Sequence, residues 1–304
     1  MFKTFPEFSP LTLNDREAYE SYMIHHPPLS DLSFATLMIW WNLANDIKVS
    51  TLNHNLVMSY HLPGDKRNSG LSLIGTHEID TSIKTIFKEL QHRQEPARLV
   101  HVPEFVVGCI EHPQHFSIAE EPDYHEYIIP VANFFPLEGI KSSRRWKVNK
   151  FLQSVAGKKI DIRSVDLADR KERQELITAM EQWGDKSGRR GFDMEGPAMQ
   201  TTITKGALLG MRNLSIYIDN VLCGFVLFQV TRDGKYLIAN HICVDYQLPR
   251  IFDYVTYICA KWAAEHDIPY LNFEMDLGLL GLREHKQNLG PIDFFRKYTI
   301  EPHR

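Results

Sequence analysis

Residues 271–298 read LNFEMDLGLLGLREHKQNLGPIDFFRKY. Pro269 ends the helical pattern before this run, the apolar start predicts a strand over Tyr270–Met275, and Gly278 and Gly281 predict a tight loop behind it. Side chains alternate in extended chain with a period of two, so Glu274 and Asp276 fall on one side. The polar segment Arg283, Glu284, His285 and Lys286 sets cations against these acids, and Asn288-Leu-Gly-Pro291 closes the stretch. Acids at the C-terminal end of a strand stand where open α/β sheets hold their ligands. The same residues also suit a structural ion-pair network, and pattern alone leaves both readings open.

Toward the N-terminus, a helix is predicted over Ile251–His266, with Ile251, Tyr254, Val255, Ile258 and Trp262 on one face. Three strands precede it, Leu214–Ile218, Val221–Val230 and Tyr236–Val244, turned at Asp219-Asn220 and Asp233-Gly234, and a helix over Leu167–Trp183 precedes those. The first half follows the same order. Asn14 or Asp15 caps a helix running to His26, and Ser30 or Asp31 caps a second that is apolar nearly all round. Ile47–Leu52 and Leu56–His61 form a hairpin about Asn53-His54-Asn55, and the polar loop Pro63–Ser69 leads to a strand at Leu71–Gly75. Asp80 caps a helix with Ile83, Ile86, Phe87 and Leu90 on one face, and Arg98–Val102 returns as a strand. Helix, strand, strand, strand, helix, strand thus recurs after about 165–170 residues, which argues for two like α/β units.

Between the units, Lys141–Ile160 (KSSRRWKVNKFLQSVAGKKI) carries Lys141, Arg144, Arg145, Lys147, Lys150, Lys158 and Lys159 and no acid. Ser142 or Ser143 suits an N-cap and Gly157 a C-terminal stop, with Val148, Phe151, Leu152 and Val155 as the apolar stripe. A helix with one basic, acid-free face is a candidate phosphate surface; it equally suits a solvated face pairing with Glu120, Glu121, Asp123 and Glu126.

The 304 residues favour two domains, and 43% hydrophobic residues are enough for real cores. A net charge of −4 gives no global pull toward nucleic acid or anionic lipid, so such a partner needs a local patch. Cys109, Cys223, Cys243 and Cys259 are scattered among apolar residues and read as buried free thiols of a reducing compartment. With no signal-type core or membrane-length apolar run, a cytoplasmic location is expected. His112-Pro-Gln-His115 reads as a surface loop rather than a metal site, and Ser187-Gly-Arg-Arg-Gly191 as a basic turn. No GxSxG, P-loop or GxGxxG stands behind a hydrolase, NTPase or dinucleotide reading.

The repeated unit resembles the GNAT (acyl-CoA N-acyltransferase-type) fold used twice in tandem. Leu137, Gly139, Lys141, Arg144, Arg145, Asn149, Phe151 and Gly157-Lys-Lys resemble the basic helix opening the second unit of FemABX-type aminoacyl-tRNA-dependent transferases. Asn272, Glu274, Asp276, Leu277, Gly278, Gly281, Leu282, Arg283, Lys286, Pro291 and Lys297-Tyr298 resemble bacterial proteins classed with the C-terminal synthase domain of phosphatidylglycerol lysyltransferase. Pro10-Leu-Thr-Leu, Ser30-Asp-Leu-Ser-Phe34 and Trp40 fit that group too. The resemblance implies two GNAT-like domains with mixed sheets, 1–137 and 138–304. It also implies an aminoacyltransferase drawing on aminoacyl-tRNA, with a small molecule, peptide or lipid headgroup as acceptor. In that reading Glu274 or Asp276 is the base, and Arg283 and Lys286 are cationic stabilisers. Asn272, Gly278, Gly281, Lys297 and Tyr298 bind substrate, and Arg144, Arg145, Lys147 and Lys150 hold tRNA phosphates. A ligand-binding protein on the same scaffold, and a CoA-dependent N-acyltransferase with a degenerate loop, are the other readings. Where a CoA-binding loop needs glycines to bring backbone N–H groups onto pyrophosphate, Tyr246-Gln-Leu-Pro-Arg250 has none and Gly75-Thr-His-Glu-Ile79 has one, so acetyl-CoA is not expected as cofactor, nor is any metal.

Overall fold

Two tight turns set the register of both halves. Asn53 and His54 (φ 49° and 63°) join one hairpin and Asp219 and Asn220 (φ 51° and 67°) another. Both central residues are left-handed in each, the twist that matches paired strands, and Asn and Asp tolerate it. A computed structural model of the chain describes residues 2–40, 47–60, 70–187 and 192–303. The polar loop Pro63–Ser69 and residues 188–191 of the basic turn lie outside the described residues.

In chain order come β1 (Ser9–Pro10), α1 (Arg16–Met23), α2 (Phe34–Trp40), β2 (Lys48–Leu52), β3 (Asn55–Tyr60), β4 (Gly70–Ile74), α3 (Ile79–His92), β5 (Leu99–Pro103), α4 (Glu104–Val107) and β6 (Phe116–Glu120). Then follow β7 (Glu126–Pro130), α5 (Ser142–Ser154), β8 (Ile160–Arg163), α6 (Arg170–Ser187), α7 (Phe192–Leu209), β9 (Arg212–Ile218), β10 (Val221–Val230) and β11 (Tyr236–Val244). The chain ends with α8 (Ile251–Glu265), β12 (Tyr270–Asn272), α9 (Leu280–Asn288), β13 (Asp293–Phe295) and β14 (Lys297–Pro302). Residues Phe34 to Ile39 of α2 are all buried, as an all-round apolar helix requires. Ile83, Ile86, Phe87 and Leu90 line the buried face of α3. Asp80 does not cap that helix: Glu78 holds the N-cap position, and the Asp80 carboxylate accepts the backbone N–H groups of Glu111 and His112, each at 3.0 Å.

Each unit carries a mixed sheet of GNAT-like topology. One sheet runs β1-β2-β3-β4-β5-β14-β6 and the other β13-β7-β12-β11-β10-β9-β8. In the first, β2, β3 and β4 are antiparallel and β5 runs parallel to β4, with Leu71 paired to Leu99. In the second, β8 to β11 are antiparallel and β12 runs parallel to β11 from Tyr236–Tyr270 to Ile238–Asn272. A crossover helix, α3 or α8, joins each parallel pair, whose strands then part.

The expected cut at 137/138 is corrected by the pairing of the last strand. One unit comprises residues 1–126, 275–284 and 294–304, and the other 127–274 and 285–293. In the first unit β14 lies antiparallel between β5 and β6, and Ile300 joins a core with Val57, Leu73, Ile83, Ile86 and Val102. In the second, β7 pairs antiparallel with β12, and Phe151 of α5 stacks on Tyr254 of α8 with ring centres 4.4 Å apart. The four cysteines are free, three of them buried.

Candidate functional site

In the second unit the parting of β11 and β12 is lined by amides and one carboxylate. Leu227 of β10 pairs with His241 and Phe228 with Ala239, so Asn240 is the extra residue of a β-bulge. A bulge breaks alternation and re-aims side chains. Asn240 donates to Glu274 Oε1 at 2.9 Å and accepts from Gln229 Nε2 at 3.1 Å. The Glu274 backbone N–H donates to Asn272 Oδ1 at 2.8 Å. One residue along, buried His241 meets Thr202 Oγ1 of α7 through Nε2 at 3.0 Å, with Glu195 of the same helix 3.9 Å from Nδ1. Glu274 is half-buried while Asn240 and Asn272 are buried, so the carboxylate is held by the Asn240 amide and the residue keeps part of its surface.

The expected strand to Met275 stops at Asn272, because Glu274 and Leu277 turn into the left-handed region (φ 54° and 55°). Glu274 and Asp276 therefore do not line one side of an extended run; they belong to different units. In the first unit Asp276 is fully buried and accepts from Arg283 Nε (2.9 Å) and Nη2 (2.8 Å) and from the Gly278 N–H (2.8 Å). Arg283 also donates to Asp123. The Asp276 and then the Asp123 hydrogen bonds push the guanidinium pKa further up, so Arg283 is a fixed cation committed to two carboxylates. Gly278 has φ 74°, and a Cβ there would stand 2.8 Å from Asp123 Oδ2, so the glycine is needed by the ion-pair cluster beside it. Gly281 sits in α9 with open space about it.

Lys297 is fully buried and its Nζ binds Asp31 at 2.6 Å and Glu126 at 3.0 Å. Burial works against the ammonium, but Asp31 and then Glu126 outweigh it and the pKa rises. Tyr298 follows on β14, half-buried, with burial and then Glu104 and Glu120 raising its hydroxyl. Lys286, in the second unit, is buried with Nζ 5.8 Å from the centre of the Tyr127 ring.

The basic segment folds as α5, with Val148, Phe151 and Val155 buried. Lys141 takes the N-cap position and neither Ser142 nor Ser143 caps it. Arg144 is spent locally: it donates to the carbonyls of Asn133 and Asn288, each at 3.0 Å, and lies over Phe134. Arg145 donates to the Glu138 carbonyl at 3.1 Å, Lys147 pairs with Asp253 at 3.4 Å, and Lys150 is exposed.

Sequence reasoning missed Asn240, Gln229, Thr202 and His241, because a bulge and a cross-sheet contact leave no periodic trace; Asn240-His241 within an apolar strand was the one visible signal. In the first unit, His101 (φ 53° within β5) meets Glu121 Oε2 through both its N–H and Nδ1, at 3.0 and 3.1 Å. His112 and His115 stack ring on ring, and among the described residues no group of three ligands gathers for a metal. No helix among the described residues is long and apolar enough to cross a membrane.

A family model described as phosphatidylglycerol lysyltransferase, C-terminal, matches residues 25–301. Among solved structures, a conserved protein of unknown function from Bacteroides thetaiotaomicron superposes with TM-score 0.81 at 19% identity, over 100% of both chains. The C-terminal domain of a putative lysylphosphatidylglycerol synthetase from Agrobacterium fabrum gives 0.63 at 12%, over 95% of this chain and 92% of that one. FemX gives 0.57 at 11%, over 98% and 97%. At these identities the likeness is one of fold. No curated protein matches the sequence.

Proposed function

The chain belongs to the phosphatidylglycerol lysyltransferase C-terminal family, and from that premise we propose that it moves an aminoacyl group from aminoacyl-tRNA to an amine or hydroxyl acceptor. The observation that carries the reading is the half-buried Glu274 carboxylate where β11 and β12 part, backed by Asn240 and Gln229. The donor ester is already activated, so the protein need only align two substrates, take one proton and stabilise an oxyanion. The acceptor's lone pair attacks the ester carbonyl while Glu274 takes its proton. Collapse breaks the bond to the terminal ribose oxygen, which leaves with the proton Glu274 held. Asp276 is read here as holding Arg283 rather than as a base, because two guanidinium hydrogen bonds already occupy it. Arg145, Lys147 and Lys150 are the phosphate contacts, and Arg144 fixes their helix.

The test is transfer from a panel of labelled aminoacyl-tRNAs to small amine and hydroxyl acceptors. Glu274→Gln keeps the shape and should lose about two to four orders of magnitude in rate, the usual scale for a general base. No transfer from any aminoacyl-tRNA, or full activity in the Gln variant, overturns the reading. No cofactor is required by this chemistry. Acetyl-CoA, lacking a glycine loop to meet its pyrophosphate, should bind no tighter than about millimolar by calorimetry. Micromolar binding would instead favour a CoA-dependent acyltransferase.

A further inference from the structure

Trp146 stands on the second turn of α5 with 55% of its surface exposed, among residues that otherwise serve solvent or charge. The Arg250 guanidinium lies 5.6 Å from the centre of its ring. Arg250 itself is held in the left-handed region (φ 64°) at the start of α8, on the loop that lacks glycines and carries exposed Tyr246. One carboxylate serves two cations there: Asp253 pairs with Lys147 at 3.4 Å and with Arg250 at 3.7 Å. Lys150, one helical turn beyond Trp146, is exposed. The result is a large, exposed aromatic ring beside a guanidinium, set in a locally positive surface.

An exposed tryptophan costs solubility without helping the core, and a face meant for a protein partner would surround it with apolar residues. Here the surroundings are cationic. Aromatic faces combined with a basic track suit unpaired nucleobases, each of which has a π-face, while the cations meet the phosphates between them. We propose that Trp146, braced by Arg250, stacks an unpaired base at the single-stranded 3′ end of the donor RNA. This rests on the aminoacyl-tRNA reading above and names the part of the donor that this surface takes.

The probes are two RNA hairpins with the same stem, one bearing a short single-stranded 3′ extension and one blunt, bound to the full chain and titrated at several salt concentrations. The wild type should prefer the extended hairpin, and Trp146→Ala should lose roughly 5- to 100-fold of affinity for it, the scale of one base stack. The Ala variant should bind the blunt hairpin as before and keep the salt slope, because no charge is removed. Trp146→Phe should retain most of the preference. If the wild type binds both hairpins equally, or the Ala variant keeps the preference, the stacking role falls while the donor reading stands. If the wild type binds neither at low salt, both fall together. If Trp146→Ala instead changes self-association in sedimentation and leaves RNA binding alone, the face is an interface between copies and the proposal is overturned.

Discussion

At the scale of single residues, charge pairing separates Asp276 from Glu274, the base proposed here. Asp276 accepts two hydrogen bonds from Arg283 and is fully buried, whereas Glu274 is held by an amide and is half-buried. Asp276→Asn removes one of the two carboxylate charges that hold Arg283 and should cost about 1–3 kcal/mol, lowering the melting temperature by about 2–12 °C. An unchanged melt with a hundredfold loss of transfer would instead make Asp276 chemical. Lys297→Met strands Asp31 and Glu126 without their cation and should cost more, about 3–5 kcal/mol. For Glu121, burial raises the carboxyl, but the His101 hydrogen bond and charge, with Thr299 adding, leave its pKa below that of an ordinary glutamate. A folded value below the unfolded one means stability that is present above about pH 4.5 and is lost as pH falls through the folded pKa. Acid titration of unfolding should therefore show the wild-type advantage over Glu121→Gln shrinking below that pH; an advantage that grew with acid would refute the pairing. Glu274, Asp276, Arg283 and Lys297 were all legible as polar residues in a suggestive stretch. Their roles were not, because partners such as Asp31, Asp123 and Asn240 lie far away in sequence.

At the scale of elements, local chemistry was legible and exceptions have physical causes. β10 and β11 run Val221–Val230 and Tyr236–Val244, the bounds read from apolar runs and turn residues. α7 was not predicted: Gly196-Pro197 argues against a helix there, yet Pro197 lies inside it. α9 escaped because Gly281 and a run of charges read as loop. α5 was found, but its cations differ in duty. Arg144→Gln should lower stability, since its two carbonyl contacts are internal to the unit, with little effect on RNA affinity at fixed salt beyond one charge. Replacing Arg145, Lys147 and Lys150 with Gln should flatten the salt dependence of tRNA binding, by about 0.7–0.9 in slope per charge. An unchanged slope in the triple variant would make α5 a solvated face.

At the scale of the whole chain, the repeated order of elements announced two like units, but not that the last strand completes the first. Nothing local marks residues 297–302 as partners of β5, whose sequence lies about two hundred residues earlier, and pairing at that separation leaves no short-range pattern. The consequence is testable. A chain ending at residue 293 lacks β14, so β5 and β6 each lose an antiparallel neighbour. It also lacks Ile300, buried in the core, whose loss alone should cost about 2–5 kcal/mol on the scale of a large-to-small core change. Asp31 and Glu126 lose Lys297 besides. Together these losses approach the whole stability of an ordinary domain, about 5–15 kcal/mol. The first unit should therefore lose amide protection in β3, β4 and β5, while amides of β9, β10 and β11 in the second stay protected. Hydrogen exchange read peptide by peptide checks this. A fragment of residues 1–137 should fail in the same way, and joining residues 294–304 to its end through a flexible linker should restore a cooperative melt. A fragment 1–137 that melts cooperatively without that strand would mean the first sheet stands without β14.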